Sequence, residues 1–115
     1  MLQACAGHGI LLAGNSGHPT WFTVIREVTV DSCRGMGIVL SGNGWMNALT
    51  ESLILRNEGE AGVRCSAVGE MVIGENRIYY NAQHGLLLDG GCARITATGN
   101  VISHTCRRLR HWTAV

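Results

Sequence analysis

Residues of like polarity stand two apart along this chain: Ile10 and Leu12 flank Leu11, Thr23 and Ile25 flank Val24, and Val28 and Val30 flank Thr29. A period of two predicts strands, and no segment carries the three-to-four-residue spacing of an amphipathic helix. Turn-forming phrases separate the strands, as in Gly74-Glu75-Asn76, Asn81-Ala82-Gln83-His84-Gly85 and Thr98-Gly99-Asn100. These residue types suit left-handed or bent backbone.

The pattern repeats. Gly9-Ile10-Leu11-Leu12, Gly37-Ile38-Val39-Leu40, Gly62-Val63-Arg64-Cys65 and Gly85-Leu86-Leu87-Leu88 share one phrase, with glycine intervals of 28, 25 and 23 residues. Seven positions before each glycine stands an aliphatic residue, giving the column Leu2, Val30, Leu55, Ile78, continued by Ile102. A further column, Ile25, Thr50, Ile73 and Ala97, lies five residues earlier again. Length varies only between the glycine phrase and this column, which is how a coil accepts a loop without losing register. Three short strands per repeat predict an all-β parallel solenoid of four to five rungs over residues 1–106. Residues 107–115 form a basic tail outside the repeat.

Stacked rungs lie about 4.8 Å apart, so equivalent residues form ladders along the axis. The expected core columns are Ile10, Ile38, Val63 and Leu86, then Leu12, Leu40, Cys65 and Leu88. A second wall is expected from Thr23, Ala48, Met71 and Ile95 with Ile25, Thr50, Ile73 and Ala97. Asn76 and Asn100 share a corner column, where stacked amides bond from rung to rung. The same count places Val28 and Leu53 in that column, and it places Cys5 and Cys33 in a thiol column continued by Glu58, Asn81 and Thr105.

The phrases Gly74 to Leu88 and Thr98-Gly99-Asn100-Val101-Ile102 resemble the parallel β-helix repeat of the pectin-lyase-like superfamily, which reads N-x-I-x-x-N-x-x-x-G-I-x-L. The resemblance covers essentially the whole chain and implies the fold, a right-handed parallel β-helix. It does not select an activity, because that superfamily includes pectate lyases, polygalacturonases, epimerases, phage tailspikes and non-enzymatic repeat domains. Gly7-His8-Gly9-Ile10 is similar to the glycine-histidine-glycine segment of polygalacturonases, where the histidine supports catalytic aspartates. The aspartate motifs of that family have no counterpart here, and His84-Gly85 recreates the phrase three rungs on, which makes His8 a turn residue first and a catalytic candidate second.

The outward positions carry more information than the core. Leu11, Val39, Arg64 and Leu87 face away from the core on the first wall, and Val24, Leu49, Val72 and Thr96 do so on the second. Apolar outward stripes predict a cover, either the long first-rung loop, a neighbouring domain or a second protomer. The open first and last rungs carry the same expectation. Trp21 and Trp45 are the candidate contacts, placed to stack on a sugar or pack on a partner, with Leu11, Val39 and Leu87 beside them.

Charge narrows the partners further. The 115 residues carry nine basic side chains, every one arginine, against eight acidic ones, for a net charge of +1. That balance excludes nucleic acid and an anionic membrane surface as electrostatic partners, and no apolar run is long enough to span a bilayer. Five cysteines lack zinc-site spacing, and an odd number cannot pair completely within one chain. No cofactor or metal is implied. Glu27 and Glu75 share a corner column with Ser52 between them, two rungs apart and about 10 Å, at the edge of the separation used by inverting carboxylate pairs. Compartment stays open, since thiol-rich core columns suit a reducing cytoplasm while sugar-processing relatives of this fold are exported. The expected function is a non-catalytic scaffold or recognition segment for carbohydrate or a protein partner. The alternative is a piece of a polysaccharide lyase, hydrolase or epimerase whose catalytic rungs lie elsewhere.

Overall fold

A computed structural model describes residues 1–15 and 17–103 of the chain. The described residues form a β-solenoid of about four turns. They hold β1 (Leu2–Gln3), β2 (Ile10–Ala13), β3 (Val24–Arg26), β4 (Thr29–Asp31), β5 (Ile38–Trp45), β6 (Ala48–Thr50), β7 (Leu53–Leu55), β8 (Ala61–Gly74), β9 (Arg77–Tyr79), β10 (His84–Asp89), β11 (Ala93–Thr98) and β12 (Val101–Ser103). Every described pairing is parallel. One sheet stacks β1, β4, β7, β9 and β12. In the other, β2 and β5 lie beside the first half of β8, and β3 and β6 beside its second half. On the opposite edge of β8, β10 pairs with its first half and β11 with its second. The basic tail expected over residues 107–115 lies outside the described residues.

The first wall stacks as the glycine phrases require. Ile10, Ile38, Val63 and Leu86 form one column, and Leu12, Leu40, Cys65 and Leu88 the next but one. On the other walls the second rung is displaced by one residue from the expected register. Val30 stacks on Ile54, not Leu55, and Ile54 stacks on Ile78. Likewise Leu49, not Thr50, stands between Ile25 and Ile73. Leu49 and Ile54 are fully buried, whereas Ala48 takes the outward position expected for Leu49. The cause is an extra residue between Asn57 and Gly62. Counting back seven from Gly62 therefore lands one position late, because that insertion sits at a corner and not in the loop after the glycine phrase. A one-residue slip exchanges the two faces of a strand, so burial decides the register: Leu49 and Ile54 go inside and Thr50 and Leu55 come out.

The same correction rewrites three corner columns. Val28 is followed by Ser52, Asn76 and Asn100: the Val28 N–H donates to Ser52 Oγ at 3.3 Å, and the Ser52 N–H donates to Asn76 Oδ1 at 3.0 Å. Leu53 stands outside that column. Cys33 is followed by Asn57 and Asn81, not Glu58: the Cys33 N–H donates to Asn57 Oδ1 at 3.0 Å and the Asn57 N–H to Asn81 Oδ1 at 3.1 Å. Glu51, not Ser52, lies between Glu27 and Glu75, each donating its backbone N–H to the adjacent rung.

Each of these amides closes a corner where the backbone leaves the sheet and its own polar groups would otherwise be unpaired. Asn76, Asn81 and Asn100 also donate Nδ2–H to the carbonyls of Leu49, Ile54 and Ile73. No buried side-chain nitrogen or oxygen lacks a partner among the described residues. The glycine column has a packing cause as well. A Cβ on Gly37 would stand 2.7 Å from the Gly62 carbonyl oxygen and from Ile54 Cγ2, and 2.8 Å from Asn57 Nδ2. The corner closes only because no side chain is there.

Candidate functional site

The bends that shape the outer surface are left-handed residues repeated at the same place in each rung. Phe22, Met46, Glu70 and Arg94 have φ of 55°, 53°, 46° and 56°, and Glu27, Glu51 and Glu75 have 55°, 52° and 57°. Non-glycine residues adopt this region at a cost. Between these two columns run β3, β6, the second half of β8, and β11, whose outward residues Val24, Ala48, Val72 and Thr96 stack in register. The result is one flat face bounded by two rails.

The first rail is aromatic. Trp21 and Trp45 pair as a parallel bridge on adjacent rungs, held by the Trp45 N–H donating to the Thr20 carbonyl at 2.9 Å and the Phe22 N–H to the Trp45 carbonyl at 3.2 Å. Trp21 meets Phe22 edge to face with centroids 6.3 Å apart. On the next rung Gly69 offers no side chain, so the Trp45 indole lies over it, within 3.9 Å of where a Cβ would stand. Arg94 stacks on Trp45 with Cζ 5.4 Å from the ring centroid, and Glu70 holds Arg94 from the other side at 3.1 Å.

Among the described residues, five of the ten exposed large hydrophobics lie on this face: Trp21 (58%), Phe22 (68%), Val24 (62%), Met46 (49%) and Val72 (46%). Isolated exposed aliphatics are ordinary, whereas these five share one face of the solenoid. Phe22, Met46, Gly69 and Arg94 were not among the residues singled out from sequence. The signal for them was the 24-residue step that carries Trp21-Phe22 to Trp45-Met46, Gly69-Glu70 and Ala93-Arg94.

The second rail is acidic. The Glu27 and Glu51 side chains share Arg26, at 3.5 and 3.3 Å, and all three remain at least half exposed. Glu75 reaches over Gly99, into the space a Cβ would take. Among the described residues no three His, Cys, Asp or Glu side chains come together as a metal-holding group.

The other expected site residues lie elsewhere. His8 pins the first corner to the second: its Nδ1 accepts the Met36 N–H at 2.9 Å. His84, its counterpart three rungs on, is buried. Leu11 is exposed at 55%, but Val39 and Leu87, at 5% and 7%, are buried in one cluster with Met36 and Ala61 of the same chain. Beyond Leu11 the first-wall stripe is thus buried within the chain, whereas Val24 and Val72 of the second-wall stripe stay exposed.

The two aspartates of the sequence are both consumed in ion pairs. Asp31 accepts from Arg56 Nε at 2.9 Å and from Ser32 Oγ at 2.6 Å. The Arg56 guanidinium holds its carboxyl below the ordinary carboxylate value. Asp89 accepts from Arg64 at 3.3 and 2.9 Å, and its carboxyl is lowered by that contact in the same way. Cys5, Cys33, Cys65 and Cys92 are free thiols. Burial pushes the Cys65 thiol up to about 12, which makes it a core residue and not a nucleophile.

No curated protein and no solved structure matches the chain. A family model described as right handed beta helix region matches residues 2–107. With the parallel walls, stacked asparagines and repeated corners already in view, the chain belongs to the right handed beta helix region family.

Proposed function

We propose that this chain is a non-catalytic recognition scaffold whose second-wall face binds carbohydrate, with Trp21 and Trp45 as its principal contacts. The observation that carries the reading is the aromatic rail: the exposed Trp21 indole with Phe22 and Met46 beside it, and the part-buried Trp45 indole on the adjacent rung. Flat aromatic rings suit the apolar faces of pyranose rings, and the rigid stacking of rungs holds the rings in place at little entropic cost on binding. The absence of catalysis from the proposal rests on the aspartates. Asp31 and Asp89 are each committed to an arginine, so neither stands ready as a general acid or base.

The test is a titration of the purified chain with a panel of neutral and charged hexasaccharides, followed by tryptophan emission and calorimetry. Saturable binding that falls at least tenfold in Trp21→Ala and Trp45→Ala, with far-ultraviolet circular dichroism unchanged, supports the proposal. Absence of binding across the panel, or binding indifferent to both substitutions, overturns it. Turnover of any of the sugars would favour the polysaccharide-processing alternative.

A further inference from the structure

Resting on that reading, we infer that the face selects glycans bearing amino groups and rejects polyuronates. The argument is the charge of the surface around the rings. The two rails present Glu27, Glu51, Glu70 and Glu75 with Arg26 and Arg94, and Arg77 is exposed just beyond Glu75. Arg94 stacks on Trp45 and meets Glu70 through Nε, so its charge is offset by a carboxylate on the same rail. Arg26 is shared between Glu27 and Glu51. The Glu70–Arg94 pair is neutral, and on the second rail Glu27, Glu51 and Glu75 outnumber Arg26 and the exposed Arg77 around the corner, which leaves the face negative.

Geometry places those carboxylates within reach of a bound chain. Along each rung the glutamate stands five residues beyond the aromatic corner, from Phe22 to Glu27, Met46 to Glu51 and Glu70 to Glu75, which is about 16 Å of strand. At low ionic strength the screening length is about 30 Å, so both rails act on one short oligosaccharide. An amino sugar gains from the carboxylates, a neutral sugar is indifferent to them, and a uronate is repelled. The uncharged stretch of Val24, Ala48, Val72 and Thr96 between the rails supplies contact without favouring either sign.

Three hexamers serve as probes in calorimetric titrations at low and high ionic strength: β-linked glucosamine, its N-acetylated counterpart, and galacturonate. Glucosamine hexamer is expected to bind about five- to tenfold more tightly than the N-acetylated one at low ionic strength, as befits exposed charge pairs, with galacturonate weakest. The difference should collapse at high ionic strength and in the combined Glu27→Gln, Glu51→Gln, Glu75→Gln variant, whose replaced groups are on the surface. Trp21→Ala should weaken all three sugars alike. Equal binding of the three hexamers, tighter binding of galacturonate, or a glucosamine preference that survives the glutamine variant overturns the inference. In the first of these cases loss of binding in Trp21→Ala leaves the carbohydrate reading standing. If none of the hexamers binds, both readings fall.

Discussion

Replacing Ile54 by alanine and, separately, Leu55 by alanine tests the register of the whole coil. Ile54 is fully buried between Val30 and Ile78, whereas Leu55 stacks between Asp31 and Tyr79 on the outer side of the same wall. Removing three buried carbons at about 0.8 kcal/mol each gives about 2.4 kcal/mol. The cavity adds to this, since neighbouring rungs are tied by backbone and asparagine ladders and cannot collapse into it. The total expected for Ile54→Ala is about 3 kcal/mol, a large share of the 5–15 kcal/mol that holds a domain of this size. Leu55→Ala, at a partly exposed position, should cost about 1 kcal/mol. At about 4 °C per kcal/mol, melting followed by circular dichroism should separate the two variants by roughly 8 °C, and urea midpoints should rank them in the same order. Equal losses, or a larger loss for Leu55→Ala, would refute the 24-residue step and return Leu55 to the core.

Other expectations follow from the corners and the ion pairs. Asn81 Oδ1 accepts both the N–H and the Nδ2–H of Asn57 in a buried corner, so Asn81→Ala leaves two donors unpaired and should cost about 2–4 kcal/mol in urea unfolding; a change under 1 kcal/mol would show that water replaces the amide. Asp31 and Asp89 have carboxyls lowered below 3.8 in the folded chain, so the stability they contribute is complete above that value. It is lost as pH falls through their lower folded values. Melting temperatures measured downward from pH 5 should drop below pH 4, and Asp31→Asn should flatten that limb; an unchanged limb would remove the ion pair from the account. Gly37→Ala forces a Cβ against backbone and against Ile54, whereas Gly74→Ala meets nothing closer than 3.6 Å. The first should lower the melting temperature sharply and the second barely, and reversal of that order would place the close approach elsewhere.

Much of this architecture was legible in the residue pattern. The period of two, the recurrent glycine phrase and the corner asparagines require stacked parallel strands, because each is a local consequence of backbone chemistry repeated at a fixed interval. The first-wall columns are correct for the same reason: Gly37 and Gly62 mark a corner where a Cβ would run into the next rung, and counting forward from them crosses no insertion. Counting backward across Glu58–Ala61 fails, since no property of that segment says which of its residues is the extra one. Only burial of Leu49 and Ile54 over Thr50 and Leu55 resolves it.

The face is a tertiary matter too. Trp21 and Trp45 are conspicuous as residues, yet their neighbours Phe22, Met46 and Arg94 become one surface only when rungs 24 residues apart are laid side by side. Conversely, Val39 and Leu87 read as exposed until they are seen buried in one cluster with Met36 and Ala61. Sequence by itself determines which residues alternate, where the chain bends and that the bends recur, because these depend on near neighbours. The fold alone decides which outward residues stay in water, because exposure is set by what distant parts of the chain place on top of them.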